Sequence, residues 1–268
     1  MAFRVWSDLS ETANHPSMLN MIRHGTPTNL APLMIVHGLY GSAKNWGVIA
    51  KRMSDLREVI AVDLRNHGDS FWADSHSYGD MANDLAQAID HIGGPVDLLG
   101  HSMGGKASMA LALTQPELVN RLIIADIAPV TYAHSQLKYI HAMRSVDLSK
   151  VSKRTDATTQ LAAFVPEISL RSFFTQSLEL GEKRWKLNLD VLEKDMPKIM
   201  SFPPLDGVFE GPTLFLSGAS SDYVLPKHRS EIRKLFPQAR FAKIKDAGHW
   251  LHAEKPREFE ASLRAFLD

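Results

Sequence analysis

Three separated stretches carry side chains whose types and spacing suit acyl transfer. Residues 97–106 read DLLGHSMGGK: an apolar run stops, and Ser102 stands with Gly100 two before it and Gly104 two after. G-x-S-x-G between a strand and a helix is the pattern of a nucleophile elbow, a turn so sharp that Cβ atoms at both glycine positions would collide. The turn is expected to hold Ser102 at positive φ and to raise its hydroxyl above a sheet edge. There it meets the start of a helix, whose amides favour developing negative charge. A serine hydroxyl needs a base. Of the 12 histidines, His249 stands out because it follows DAG after an apolar run and precedes WLHAEKP. It also comes late in the chain, as the base does in this motif order. His252 is assigned to packing or hydrogen bonding in the same turn. The third stretch is HGLYGS, His37 to Ser42, after the first strongly apolar run. The elbow arrangement takes one oxyanion-binding amide from the residue after the nucleophile and another from this early loop. That names the backbone N–H groups of Met103 and Leu39. His37 is read as orienting the loop, not as moving protons.

The acid that orients the base has two candidates. Asp126 closes the run LIIAD, on the strand expected beside the one that bears Ser102, and Asp222 lies in GASSD after the run TLFLS. Either carboxylate must accept from the imidazole nitrogen that does not face Ser102, fixing the tautomer and stabilising the imidazolium.

These groups need a frame. Short apolar runs over Pro32–His37, Val59–Asp63, Val96–Gly100, Leu122–Asp126, Thr213–Ser217 and Phe241–Lys245 end in turn residues. Runs of this length suit strands buried on both faces of a parallel sheet. Helical patterns separate them at Asn45–Ser54, Tyr78–Ile92, Met103–Gln115, Lys227–Phe236 and Pro256–Leu267. Pro256 fits a first helical position. The alternation predicts a mostly parallel sheet with right-handed crossovers, flanked by helices. One interval breaks the rhythm, since far more chain separates Asp126 from Thr213 than a crossover uses. It carries the helical patterns HSQLKYIHAMRSV, SLRSFFTQSL and RWKLNLDVLEKDM. The expected division is a core of residues 1–129 and 206–268 and a helical cap of residues 130–205. Phe173, Phe174 and Met143 of the cap could line an acyl pocket or pack its helices, and Ala142 and Ala163 are candidate pocket positions. Lys106, at a helix start, is given a solvated or structural role.

Composition narrows the function classes. The chain has 268 residues, no cysteine, and 30 basic against 30 acidic residues. The charge balance lends nothing to a nucleic-acid footprint or a polybasic membrane surface. Without cysteine there is no thiol catalysis and no disulfide or thiolate metal site. No stretch has the apolar length of a bilayer span, and MAFRVWSDLSETANHP has no apolar core of a leader, so a cytoplasmic protein is the expectation. No Walker loop, dinucleotide-binding G-x-G-x-x-G or H-E-x-x-H is present, and neither metal nor organic cofactor is expected.

Taken together, HGLYGS, DLRNHGDS, GHSMGG and DAGHWLHAEKP resemble the α/β-hydrolase family in order and spacing over nearly the whole chain. Through NHG, GHSMGGKA, DIAPV, FPQAR and GHWLHAEKP the chain is similar to the bacterial YbfF-type esterases. The resemblance implies an α/β-hydrolase fold with a helical lid insertion and hydrolysis of carboxylic esters, in some members of acyl thioesters of coenzyme A. The commonest acid position of the family falls on Ser221, with Asp222 one residue later. The YbfF-type esterases place their aspartate in the motif matching DIAPV, which favours Asp126. A serine at the elbow speaks against the branches that place aspartate there. The expected activity is therefore a serine carboxylesterase acting on a small acyl ester or thioester, as monomer or dimer. A thioesterase or acyltransferase would use the same parts. A ligand-binding protein of low turnover on this scaffold is the reading from another class.

Overall fold

The structure, a computed structural model, describes residues 18–268. The stretch MAFRVWSDLSETANHP considered above lies outside the described residues. The main sheet is built from β1 (Met21–His24), β2 (Leu33–Val36), β3 (Val59–Val62), β4 (Val96–His101) and β5 (Val119–Ala125). After a two-stranded hairpin of β6 (Leu178–Glu179) and β7 (Arg184–Trp185), it is completed by β8 (Thr213–Gly218) and β9 (Ala239–Ile244). The seven strands run in the order β1-β3-β2-β4-β5-β8-β9. All pair in parallel except β1, which is antiparallel to β3.

Both faces of the sheet are covered, which explains why its strands read as continuous apolar runs. Side chains alternate between two cores. Met34, Val36, Leu98, Leu122 and Ile124 face one, together with α2 (Tyr78–Ile92) and α3 (Met103–Thr114). Leu33, Ile35, Leu99 and Ile123 face the other, against α1 (Gly47–Met53) and α11 (Pro256–Leu267). Helix α2 opens on a capping box, with Ser77 accepting from the Asp80 amide, and closes on Gly93 at φ 97°. Both devices satisfy groups that a helix end leaves orphaned.

Between β5 and β8 the chain forms α4 (Leu137–Arg144), α5 (Arg154–Leu161), α6 (Ile168–Gln176), α7 (Leu189–Lys194) and α8 (Met196–Met200). The stretch RWKLNLDVLEKDM, expected to be helical, instead begins as β7 and turns helical only at Leu189. Lys186 and Leu187 are drawn to the core loop at residues 64–70. The Gly68 amide donates to the Lys186 carbonyl, and Leu187 bridges to His67. Helices α9 (Arg229–Leu235) and α10 (Leu251–Glu254) complete the chain order before α11. No helix among the described residues is long and apolar enough to cross a membrane.

Parallel register brings three strand ends to one edge. Gly100 of β4 lies opposite Ile124 of β5, and Ala125 lies opposite Leu216 of β8. The ladder continues one residue further on each side, with Ser102 N–H donating to the Ala125 carbonyl (3.0 Å) and Asp126 N–H to that of Leu216 (2.9 Å). Ser102 and Asp126 therefore leave the sheet side by side, 24 residues apart in sequence.

Candidate active site

Ser102 sits in the turn from β4 to α3 with φ 52° and ψ −121°, a region that L-residues enter only when their surroundings impose it. The glycines around it are required by close approach. A Cβ on Gly100 would come within 2.4 Å of the Gly104 carbonyl oxygen, and one on Gly104 within 2.3 Å of that of His37. The elbow thus packs directly onto the end of β2.

Three of the side chains named from the sequence are joined. Ser102 Oγ lies 3.1 Å from His249 Nε2, and His249 Nδ1 lies 2.8 Å from Asp126 Oδ2. With Nδ1–H donating to the carboxylate, Nε2 carries the lone pair that faces the hydroxyl. Asp126 is fully buried and itself sits at φ 53°. Its Oδ1 accepts from the Gly218 amide (3.0 Å), and its Oδ2 also accepts from the Ser221 hydroxyl. Asp222 is exposed, and no hydrogen bond joins it to His249. The one-residue offset after β8 explains the arrangement. The residue at the expected acid position is Ser221, and it points at Asp126 as a donor instead.

His249 is held from every side. Its carbonyl accepts from His101 Nε2 (2.9 Å), and its ring stacks on Tyr223 with centroids 4.1 Å apart. Glu254 accepts from the Gly248 amide (2.7 Å) and the Trp250 amide (3.3 Å), bracketing the histidine. His252 stacks on Trp46 at 4.1 Å, a packing role as expected. Tyr223, His101 and Glu254 were not identified from the sequence, and Ser221 was named there only as the commonest acid position of the family, not as a donor to Asp126. Only Glu254 left a signal, being an acid in the first turn after a loop.

The loop at residues 37–42 is fixed by two neutral histidines. Leu64 N–H donates to His37 Nε2 (3.0 Å), so His37 Nδ1–H donates to the Gly38 carbonyl (2.8 Å). Tyr40 N–H donates to His67 Nε2 (3.2 Å), leaving Nδ1–H for the Arg65 carbonyl (3.0 Å). Burial pushes His37 down to about 4 and, helped by the adjacent His37, pushes His67 down to about 3. Both act as acceptors for backbone amides, a task that only the neutral imidazole performs. Among the described residues no group accepts the Leu39 N–H, while Met103 N–H is one of the orphans of the first helical turn.

A cleft opens above Ser102. Leu39, Met103 and His249 line it from the sheet side, and Tyr132, Leu170, Phe174, Ile199 and Met200 from the stretch between β5 and β8. Phe174 is thus a lining residue, whereas Phe173 packs on Trp250 (4.6 Å) and Met143 is fully buried with its carbonyl accepting from Trp185 Nε1. Ala142 is buried away from the cleft and Ala163 is exposed outside it, so neither is a pocket position. Lys106 is not solvated. It lies buried in the cleft wall with its Nζ bonded to the carbonyls of Met200 and Ser201.

Comparison with known proteins agrees with this architecture. Residues 33–262 match the model of the alpha/beta hydrolase family. The chain is 43% identical over 249 residues to the mouse sn-1-specific diacylglycerol lipase ABHD11, covering 89% of this chain and 81% of the relative. It is 35% identical over 246 residues to esterase YbfF of Escherichia coli, covering 90% and 94%. A solved structure of a marine microorganism esterase superposes with a TM-score of 0.88 at 39% identity, covering 93% of this chain and 99% of the other.

Proposed function

The chain belongs to the alpha/beta hydrolase family, and on that premise we propose that it is a serine carboxylesterase working through an acyl-enzyme at Ser102. The observation that carries the reading is the unbroken hydrogen-bond path from Ser102 through His249 to Asp126. Ser102 Oγ attacks the ester carbonyl while His249 Nε2 takes its proton. The negative charge that develops on the carbonyl oxygen is received by the Leu39 and Met103 amides. His249 then returns the proton to the departing alkoxide, and water follows the same route to release the acid. Asp126 keeps Nδ1 protonated and stabilises the imidazolium.

In this reading residues 130–205 act as a cap that supplies the acyl-side wall of the cleft, over a core of residues 1–129 and 206–268. A thioester would be cleaved by the same steps, and an acyl acceptor other than water would turn the enzyme into a transferase. Both the esterase and lipase names of its relatives support an ester substrate.

Turnover of a short chromogenic ester tests the reading. Ser102→Ala and His249→Ala are each expected to lower kcat by several orders of magnitude in folded protein. The double variant should be little worse than either, because groups acting as a unit are not additive. Equal turnover by native chain and Ser102→Ala would leave only a binding role for the cleft.

A further inference from the structure

The cleft holds one cation that the esterase chemistry leaves unused. Lys106 lies one turn beyond Ser102 on α3, its N–H donating to the Ser102 carbonyl (3.1 Å), and its side chain lines the same cleft. It is only 1% exposed. An ammonium carries three N–H donors. Two of them reach the carbonyls of Met200 (3.1 Å) and Ser201 (2.6 Å). The Tyr132 ring lies beside it at 4.8 Å and the Tyr78 ring at 5.7 Å. Among the described residues no carboxylate pairs with it. A buried charge without a counter-ion is costly, and the lysine accordingly sits lowered by burial to about 7.

The cleft also has an inside and an outside. Lys106, Tyr78 and Ile199 are buried, whereas Gln136, Leu170 and Trp250 are only half-buried. In an acyl-enzyme mechanism the alcohol leaves first and water must enter by the vacated path, so the leaving group belongs at the open end. The acyl chain then occupies the enclosed end, where the lysine waits.

Resting on the esterase reading, we propose that the acyl group taken by this site ends in a carboxylate, and that Lys106 is the specificity-determining residue that receives it. The substrates are monoesters of short dicarboxylic acids. The carboxylate supplies the missing counter-ion and the acceptor for the third N–H, while the carbonyls of Met200 and Ser201 keep the ammonium aimed into the cleft. The aromatic walls contact the methylenes between the two ends.

The test compares kcat/KM for monoethyl succinate, glutarate and adipate with their ω-carboxamide isosteres, which differ in charge but hardly in shape. The native enzyme is expected to prefer at least one carboxylate of the series by about tenfold or more, as a charge-assisted hydrogen bond would give. In Lys106→Met that ratio should collapse to one or invert. A native enzyme that turns over the carboxamides as well as or better than every carboxylate overturns the proposal. A Lys106→Met variant that keeps the carboxylate preference overturns it too. Should that variant not fold, competition on the native enzyme decides: the free dicarboxylate of the preferred length must inhibit turnover of ethyl acetate more strongly than the monoamide of the same length. If no ester is hydrolysed, the esterase reading fails by itself, and calorimetric binding of the same dicarboxylates and monoamides judges the carboxylate site. Equal binding of the two sets would then overturn it.

Discussion

At the scale of single residues, the carboxylate of Asp126 is the most constrained group of the site. It accepts from His249, from the Gly218 amide and from the Ser221 hydroxyl while being wholly removed from water. An amide at position 126 keeps the shape but offers a donor where an acceptor is needed, so the imidazole tautomer is no longer held. Asp126→Asn is expected to lose at least about 10²-fold in kcat, and Asp222→Asn far less. Kinetics on both variants, with circular dichroism to show that each is folded, reads the ranking, and the reverse order would hand the orienting role to Asp222. Ser102 and His249 were legible in the sequence because their constraints are local: glycines two residues away from the serine, and DAG immediately before the histidine. The choice between Asp126 and Asp222 was not. It depends on the register of β5 against β8, a contact between residues 92 apart that leaves no trace in either segment.

At the scale of elements, α6 and α8 line the cleft through Leu170 and Phe174 and through Ile199 and Met200, the acyl side in the proposed reading. Enlarging Leu170 to Trp should penalise an octanoyl ester more than an acetyl ester, by ~1–3 kcal/mol for each methylene excluded. Ala163→Trp, on an exposed position outside the cleft, should leave the ratio of the two esters as it is. Equal losses on both esters in Leu170→Trp would put the acyl chain elsewhere. The elements themselves were read unevenly from the sequence. Strands buried on both faces announce themselves as apolar runs, and every parallel strand was anticipated to within a few residues. β1 was missed because MIRH is a half-buried antiparallel edge with a charged residue inside it. β6 and β7 are two residues each, too short for any period to register. The side chains that face the cleft were also hidden, since Phe173 and Phe174 differ only by the helical rotation that α6 adopts against its neighbours.

For the whole molecule, the histidines predict an acid-sensitive fold. Burial lowers His37 to about 4 and lowers His67 and His252 to about 3, and it holds His76 and His101 well below the ordinary value. In each case the unfolded chain binds a proton near pH 6.5 that the native state refuses, so the unfolded state carries more protons between about 6.5 and 4. Stability therefore falls as pH falls through that window. At pH 5 the loss is about 2 kcal/mol for a group such as His37 or His252. The raised carboxyls of Asp84 and Asp97 act in the opposite sense at the acid end of the window. Reversible thermal unfolding should show a Tm lower by at least roughly 10 °C at pH 5 than at pH 7.5, and a flat profile would mean that these imidazoles are not buried neutral. The chain path has a consequence for descent as well. Ser102, Asp126 and His249 all lie outside residues 130–205, while Tyr132, Leu170, Phe174, Ile199 and Met200 all lie inside them. Recombination with breakpoints just after Asp126 and just before β8 would import a new set of pocket walls and leave the proton path untouched. The tie from Lys106 survives such a graft in principle, because it grips main-chain carbonyls that any incoming sequence can offer. The proton path, together with Lys106, and the apolar walls of the pocket can thus be inherited separately in this lineage.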